Sequence, residues 1–274
     1  MQTKIMTLFT RTPLHVGCGS SVGAVDQPIM RERHTRFPVI PGSAIKGVLA
    51  DLWNENFKRT DDGKLYFGED DDKAKARSAK ISFGEAKLLA FPVRSARGCF
   101  AFLTSPLALE RYKRDAGLEI PVPTVSASMK CLAGKDVVFD DKKAVVLEEY
   151  RFACEGAFPE EWAKHLASLA DDAVLNGGEA RFVLMNDEDL AFYAQNACQI
   201  SQHVSIDSES GTAADGKLFN QEEVPSETLF YAPLMFLDST VDYKSFDARI
   251  CQSPCIQFGG KGTTGIGYCS VKLA

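Results

Sequence analysis

The chain has 274 residues, 45% of them hydrophobic and 25% charged, and its formal net charge is −6. A chain of this length can bury a large core, so we expect one large domain, or one domain with insertions, rather than two independent domains. The acidic balance argues against a simple nucleic-acid-coating protein, although a local basic cluster at Arg31, Arg33, His34 and Arg36 leaves a basic face possible. No apolar run approaches the roughly 20 residues of a membrane helix, and the N-terminus has no signal-peptide pattern, so we expect a cytoplasmic protein.

The eight cysteines form no C-x-x-C pair, and the nearest two, Cys251 and Cys255, have no histidine near them. That spacing is not typical of a structural zinc site. A disulfide framework is not expected in a chain this long without a secretion signal. We therefore expect free, mostly buried thiols.

The residue patterns predict an α+β protein. Alternating and β-branched residues predict strands, and apolar residues three and four positions apart predict helices. The predicted strands are 4–14, 81–93, 99–104, 144–153, 181–185, 198–206, 227–237 and 268–273. The predicted helices are 41–57, 106–116, 159–170, 187–196 and 243–250. Their irregular alternation favours an α+β sheet domain over a doubly wound fold.

Two stretches look like additions to this domain. Residues 58–80 are polar and contain an acidic run, which predicts an exposed insertion. Residues 198–237 predict a long hairpin: 198–206 runs outward, a tip rich in turn residues follows, and 227–237 returns. We expect this hairpin to reach away from the body.

The loop 15–40 is long, and loops of that length inside a compact domain are usually functional or mobile. Its glycine-rich first part contains a single carboxylate, Asp26. In the helix that follows, the free N–H groups near Gly42 and Ser43 would suit an anion such as a phosphate. Lys46 lies in the first turn, where the helix dipole disfavours a cation unless an anion is bound there.

A glycine-rich run near the C-terminus matches G-x-G-x-x-G. It is not a dinucleotide-binding motif, because only nine residues follow it and no helix fits in that length. One interpretation is a flexible turn before the last strand. The other is a backbone loop lying close to a phosphate chain at Gly259, Gly260 and Gly262, with Lys261 supplying the charge.

These motifs together resemble the RAMP superfamily of CRISPR proteins, and most closely the repeated backbone subunit of type III-B Cmr effector complexes. The runs that carry the resemblance cover about a quarter of the chain, at its two ends. They are Leu14-His15-Val16-Gly17, the loop with Asp26 and Pro28, Ile40-Pro41-Gly42-Ser43 with Lys46 and Gly47, and Phe258-Gly259-Gly260-Lys261-Gly262-Thr263-Thr264-Gly265-Ile266-Gly267.

The resemblance implies a ferredoxin-like (RRM-like) palm with an inserted finger region and a long thumb hairpin. It implies that copies stack head to tail on a guide crRNA, together with other Cmr-complex subunits, and cut a complementary target RNA at regular intervals. The start of the helix at 41–57 and the glycine-rich run would contact guide phosphates. Apolar residues of the hairpin would act as a wedge between guide and target; the candidates are Val204, Ile206, Leu218 and Phe219.

The resemblance also implies that Asp26 supports target cleavage by attack of a ribose 2′-OH on the adjacent phosphate. Asp26 would help deprotonate the 2′-OH or hold a divalent metal ion, Mg²⁺ or Mn²⁺. Because one carboxylate makes a weak metal site, the RNA phosphate would have to supply other ligands. His15, as a base or phosphate contact, and Glu227, at the start of 227–237, complete the predicted catalytic set.

Two other classes of function stay open from the sequence. One is a non-catalytic RNA-binding scaffold subunit, as in the related Csm-like complex, in which Asp26 only shapes its loop. For His15 the alternative is a hydrogen-bonded structural histidine at a strand end. The other class is an unrelated enzyme whose glycine-rich run binds a small phosphorylated ligand. The scaffold would bind RNA without cutting it, whereas the unrelated enzyme would purify as a monomer free of RNA.

Overall fold

The computed structural model describes residues 2–19, 23–69, 78–139, 143–206 and 213–274, with the backbone alone for 205, 206 and 213–217. The strands are β1 (Gln2–Thr10), β2 (Val39–Ile40), β3 (Asn54–Glu55), β4 (Lys58–Arg59), β5 (Ile81–Phe83), β6 (Ala86–Arg94), β7 (Phe100–Thr104), β8 (Lys130–Ala133), β9 (Ala144–Leu147), β10 (Tyr150–Ala157), β11 (Phe182–Leu184), β12 (Gln199–Ile206), β13 (Ala213–Glu223), β14 (Leu229–Phe236), β15 (Cys255–Gln257) and β16 (Tyr268–Leu273). The helices are α1 (Gly42–Asp51), α2 (Asp61–Phe67), α3 (Pro106–Ala116), α4 (Glu160–Ala167), α5 (Ala173–Asn176), α6 (Asp187–Asn196) and α7 (Lys244–Cys251).

One mixed sheet of twelve strands forms the body. Its main path runs β15-β16-β1-β14-β6-β7-β11-β8-β10-β9, with β2 paired to β6 and β5 to β14. The β7–β11 and β8–β10 pairs are parallel, whereas β1 pairs antiparallel with both of its neighbours. The last strand of the chain therefore lies beside the first, which brings the two ends of the sequence together.

Helices cover both faces of the sheet. Side chains alternate along β1, so that Met6 and Leu8 join one hydrophobic cluster while Ile5 and Phe9 join the other. The first cluster includes residues of α1, α2, α6 and α7, and the second includes residues of α4. Of the helices described, none is long and apolar enough to cross a membrane.

The predicted insertion at 58–80 is partly wrong. The first helix ends earlier than predicted, because the chain turns at Trp53 into the β3–β4 hairpin and continues into α2. In α2, Tyr66 and Phe67 are buried, and both rings contact that of Trp53. This part of the segment belongs to the core, while the acidic run within 70–77 lies outside the described residues.

The predicted hairpin has the wrong returning strand. β12 pairs with β13, with Val204 opposite Leu218, as a separate two-stranded sheet. The predicted return at 227–237 is instead the central strand β14, between β1 and β6. Phe230 and Tyr231, on opposite faces of β14, are both fully buried, as a strand covered on two sides requires. The tip at 207–212 lies outside the described residues.

Two smaller expectations also change. The predicted strand 144–153 is a tight hairpin of β9 and β10, with Glu148 at φ +49° in its turn. All eight cysteines are free, but the expectation that most are buried is wrong, because four of them are exposed. The exposed thiols are those of Cys18, Cys99, Cys251 and Cys255.

Candidate functional site

The base of β13 holds the loop that carries Asp26. The backbone amide of Gln27 donates to the carbonyl of Asn220 at 3.0 Å, and the amide of Glu222 donates to the carbonyl of Gln27 at 3.0 Å. The backbone amide of Asn220 also donates to Oδ2 of Asp26 at 2.8 Å. Because Asp26 is nevertheless exposed, its carboxylate is held in position and still open to a substrate.

A buried ion pair lies next to this loop. Arg31 and Glu222 approach to 2.5 Å, and their side chains are only 7% and 11% exposed. Glu222 accepts a second hydrogen bond, at 3.0 Å, from the backbone amide of Ile29. Arg31 also donates to the carbonyl of Ala194 in α6. Arg31 thus ties the loop to β13 and α6, and it is not part of an exposed basic face.

The glycine-rich run is docked against the segment that follows β1. The amide of Gly260 donates to the carbonyl of His15 at 3.0 Å. Gly259 has φ +76°, and a Cβ there would lie 2.3 Å from the same carbonyl oxygen, so only glycine fits. The Gln257 side chain donates to the carbonyls of Gly259 and Gly260 at 3.1 and 3.4 Å. No sequence motif pointed to Gln257.

Lys261 links the glycine-rich run to the Asp26 loop. Its Nζ lies 3.3 Å from Oε1 of Gln27 and 4.5 Å from the centroid of the Phe219 ring, a cation–π contact. Phe219 stacks on His203 of β12, with ring centroids 5.1 Å apart. The sequence placed Lys261 and Asp26 in separate motifs, and the structure brings their segments together at the base of the hairpin.

The buried residue His15 links β13 and the glycine-rich run through hydrogen bonds. Its Nδ1 lies 2.7 Å from the carbonyl oxygen of Glu222. Since a carbonyl only accepts, Nδ1 is the donor in this hydrogen bond. A Cβ on Gly17 would lie 2.8 Å from Nε2, so the loop backbone passes close to the ring. His15 has no described contact with Asp26, which favours a structural role.

Glu227 lies in a segment that does not contact Asp26 or His15 among the described residues. It has φ +68°, and its amide donates to the carbonyl of Thr10 at 2.7 Å. Burial and, after it, the negative charge of Asp172 raise the pKa of Glu227. No described contact joins Glu227 to Asp26 or His15, so the structure does not assemble the predicted catalytic set around one point.

The predicted anion site at the start of α1 likewise has no described contact with the Asp26 loop. A Cβ on Gly42 would lie 2.1 Å from the carbonyl oxygen of Phe83, so glycine lets α1 pack on β5. Ser43 is exposed and Lys46 half-buried. Since the described contacts do not connect these residues with Asp26, their role in RNA binding stays a prediction.

The protein ligands available at Asp26 suit only an open metal site, in which waters and substrate complete the coordination. Among the described residues, no group of three or more His, Cys, Asp or Glu side chains is placed to hold a metal ion. Mg²⁺ often binds one or two carboxylates and completes its coordination with waters and substrate phosphates. The exposed carboxylate of Asp26 fits that open mode and not a closed protein site.

Comparison with known proteins gives matches along the whole chain. The model of the RAMP superfamily matches residues 7–270. The CRISPR system Cmr endoribonuclease Cmr4 of Pyrococcus furiosus is 34% identical over 291 residues, covering 100% of this chain and 96% of the relative. The Csm3 endoribonuclease of Enterococcus italicus is 48% identical over 44 residues, but this covers only 15% of the chain and 21% of the relative.

Solved structures agree with the sequence matches. Oligomeric Cmr4 from Pyrococcus furiosus superposes with a TM-score of 0.74 at 27% identity, covering 100% of this chain and 98% of that one. A chain of the type III-B Cmr-beta complex bound to cognate target RNA gives a TM-score of 0.76 at 19% identity, covering 100% and 97%. At that lower identity the likeness is one of fold.

Proposed function

Because the chain belongs to the RAMP superfamily, we propose that it is a backbone subunit of a CRISPR RNA-guided effector complex of the type III-B Cmr class. In support, the relative that matches over the full length is named a Cmr endoribonuclease. A homologue of the same fold is described as oligomeric. Copies stack head to tail on the guide RNA in the cytoplasm, with other Cmr subunits, and cut the target at regular intervals.

We further infer that part of the sheet is a ferredoxin-like palm. The supporting observation is the neighbouring order β16-β1-β14-β6, in which every pair is antiparallel. In chain order these four strands follow the pattern β1-α1-β6-β14-α7-β16, which is that of a split βαβ fold. The separate β12–β13 hairpin is then the thumb.

Cleavage proceeds by transfer within the RNA. The Asp26 carboxylate accepts the proton of a ribose 2′-OH, and the 2′ oxygen forms a bond to the adjacent phosphorus. The bond from phosphorus to the 5′ oxygen of the next nucleotide breaks, leaving a 2′,3′-cyclic phosphate and, after protonation, a 5′-OH. The Asn220 amide orients Asp26, and Lys261 supplies positive charge for the phosphate oxygens.

The alternative role for the same carboxylate is to hold a divalent ion, Mg²⁺ or Mn²⁺, instead of accepting the proton. When bound there, with RNA phosphate and water as further ligands, such an ion supplies Lewis-acid polarisation of a phosphate oxygen. His15 joins the loop to β13 through its ring and to the glycine-rich run through its backbone carbonyl. Glu227 has no described contact with Asp26 and takes no part in the proposed proton transfer.

The thumb hairpin distorts the bound RNA in the way that this attack needs. Val204 and Leu218 lie opposite each other in the hairpin, and they are 49% and 58% exposed. Such an apolar pair can displace a base pair between guide and target, at a cost of a few kcal/mol per unstacked step. The displaced nucleotide leaves a flexed backbone next to Asp26, and this repeats in every copy.

The exposed and fixed carboxylate of Asp26 carries the cleavage proposal. The test is cleavage of a labelled target RNA by the complex reconstituted with guide, comparing wild type, Asp26→Ala and the control Asp51→Ala, which alters an exposed carboxylate in α1. We expect regular cuts in wild type and control, and none with Asp26→Ala despite retained RNA binding.

Other outcomes have defined meanings. Unchanged cutting by Asp26→Ala removes Asp26 from the mechanism and shifts attention to His15 and Glu227. If wild type and variant both bind RNA but neither cuts, the protein is the non-catalytic scaffold. The full-length family match already disfavours an unrelated metabolic enzyme.

A further inference from the structure

A phenylalanine stands fully exposed at the tip of the β3–β4 hairpin. The two central residues of this turn, Asn56 and Phe57, have φ values of +50° and +64°. Tight turns of this type favour Asn-Gly, because the left-handed conformation strains a bulky side chain. Phe57 thus has an unfavourable left-handed backbone conformation, and its apolar ring is fully exposed to water. Both features are explained if the ring is buried in a partner.

The hairpin is fixed to the body of the protein. The amide of Thr60 donates to the carbonyl of Trp53 at 2.9 Å, which closes the base of the hairpin. The Trp53 ring is buried and stacks on Phe246 of α7, with centroids 5.2 Å apart. Phe57 is therefore a preformed knob and loses little conformational freedom on docking.

The same chain has a socket of matching character at another place. A depression of about 220 Å³ opens between β10, α6 and the segment before β8. It is smaller than a typical small-molecule pocket, which suits one inserted side chain. Its lining includes Met129, Tyr150 and Phe192, which are 41%, 37% and 43% exposed. The Tyr150 and Phe192 rings meet edge to face at 5.4 Å.

Charge at the socket favours a protein over RNA. Its rim carries Glu188 and Asp189, in the acidic first turn of α6, which would repel phosphates. At the knob, Glu55 lies opposite Lys58, so the tip presents an apolar ring between balanced charges. A neutral apolar tip can enter this acidic rim, and Lys58 can meet Glu188 there.

Knob and socket lie over different strands of the sheet. The knob is anchored on α7, which contacts β16, whereas the socket lies on β10. Seven strand steps separate β16 from β10 in the sheet order, roughly 34 Å along the sheet at about 4.8 Å per step. Two complementary patches at different places on one chain produce a head-to-tail contact that propagates.

We propose that Phe57 of one copy inserts into the socket of the next copy, against the rings of Tyr150 and Phe192. The occupant of the socket is thus a second copy of this chain. The inference deepens the proposed backbone function, on which it rests for the biological role of the contact. The contact itself is a property of the protein that can be measured without RNA cleavage.

The test places a photo-crosslinking benzoylphenylalanine at position 57 of the full chain, alone and assembled on guide RNA. The control carries the same group at Val174, an exposed apolar position of α5. We expect ultraviolet light to join position 57 to a second chain, with the adducts mapped by mass spectrometry to Met129, Tyr150 or Phe192. Position 174 gives no adduct in the socket.

A second arm separates docking from folding. Glycine suits the left-handed backbone at position 57, so the Phe57→Gly variant should fold at least as stably as wild type. In light scattering, the particle mass of this variant should nevertheless fall toward that of a monomer. Phe192→Glu should do the same from the socket side, with Val174→Gly as the control. A wild type that is monomeric with and without RNA, a Phe57→Gly variant that assembles normally, or a crosslink from position 57 to RNA or to another surface overturns the inference.

The two proposals fail separately. Socket crosslinks with no RNA-guided cutting by wild type leave the self-association intact and reject the enzymatic role. Regular cutting with assembly unaffected by Phe57→Gly leaves the proposed function intact and rejects the knob-and-socket contact.

Discussion

The backbone amide of Asn220 donates a 2.8 Å hydrogen bond to the carboxylate of Asp26. Asn220 lies in β13 and Asp26 in an irregular loop near the other end of the chain. The strand that returns from the hairpin tip therefore also fixes the candidate catalytic group. In the proposed complex, RNA bound at the hairpin would act on the same strand that orients Asp26.

Removing that one amide should slow cleavage. Asn220→Pro deletes the N–H and leaves the Asp26 carboxylate intact, whereas Asn220→Ala keeps the N–H and serves as the matched control. A hydrogen bond to a charged group contributes about 1.5–3 kcal/mol, so we expect cleavage to fall roughly 10- to 100-fold with proline and little with alanine. Single-turnover cleavage at saturating RNA measures this. Equal rates for both variants would show that the amide does not orient Asp26.

Lys261 should act through its charge. Lys261→Met keeps an apolar stem on the Phe219 ring and removes the ammonium group. We expect RNA affinity to fall and the slope of log K against log salt to become shallower by about 0.7, the value for one phosphate contact on a single strand. Lys135→Met, at an exposed lysine, is the control. A slope identical to that of wild type would place Lys261 away from the RNA.

The buried pair of Arg31 and Glu222 should dominate the stability of the Asp26 loop. Glu222→Gln leaves the Arg31 guanidinium buried without its counter-charge, which costs about 3–5 kcal/mol. At roughly 2–4 °C per kcal/mol, Tm should fall by roughly 6–20 °C. Arg94→Gln opens a pair whose side chains are 72% and 31% exposed, and its cost should stay below about 1 kcal/mol. Calorimetry compares the two, and similar shifts would mean that burial of the first pair is unimportant.

Glu227 should destabilise the fold near neutral pH. Burial and Asp172 raise its pKa in the folded state, so the folded protein binds this proton more tightly than the unfolded chain does. Its favourable contribution is present below the ordinary value of about 4.5 and is lost as the pH rises through the raised pKa. Glu227→Gln should therefore increase the free energy of unfolding at pH 7 and not at pH 4, as measured by denaturant titration. Glu119→Gln, at an exposed carboxylate, should change neither value.

Local patterns predicted many elements well. The predicted helix 106–116 is α3, 187–196 is α6, and the strand 268–273 is β16. In each, capping residues and the spacing of apolar side chains act within the segment itself. The same reasoning missed the end of α1, because the aromatic packing of Trp53 on α2 and α7 overrode the helical pattern.

The sequence by itself determined the α+β class, the membership of the family and the two motifs that hold Asp26 and Lys261. It could not give the partner of β12, since alternation reports which faces of a strand are buried and not which strand lies beside it. Only the tertiary structure placed β14 in the centre of the sheet and brought Gln27 within 3.3 Å of Lys261, 234 residues away. Side-chain period is a local property, whereas hydrogen-bond partners and charge neighbours depend on how distant segments meet.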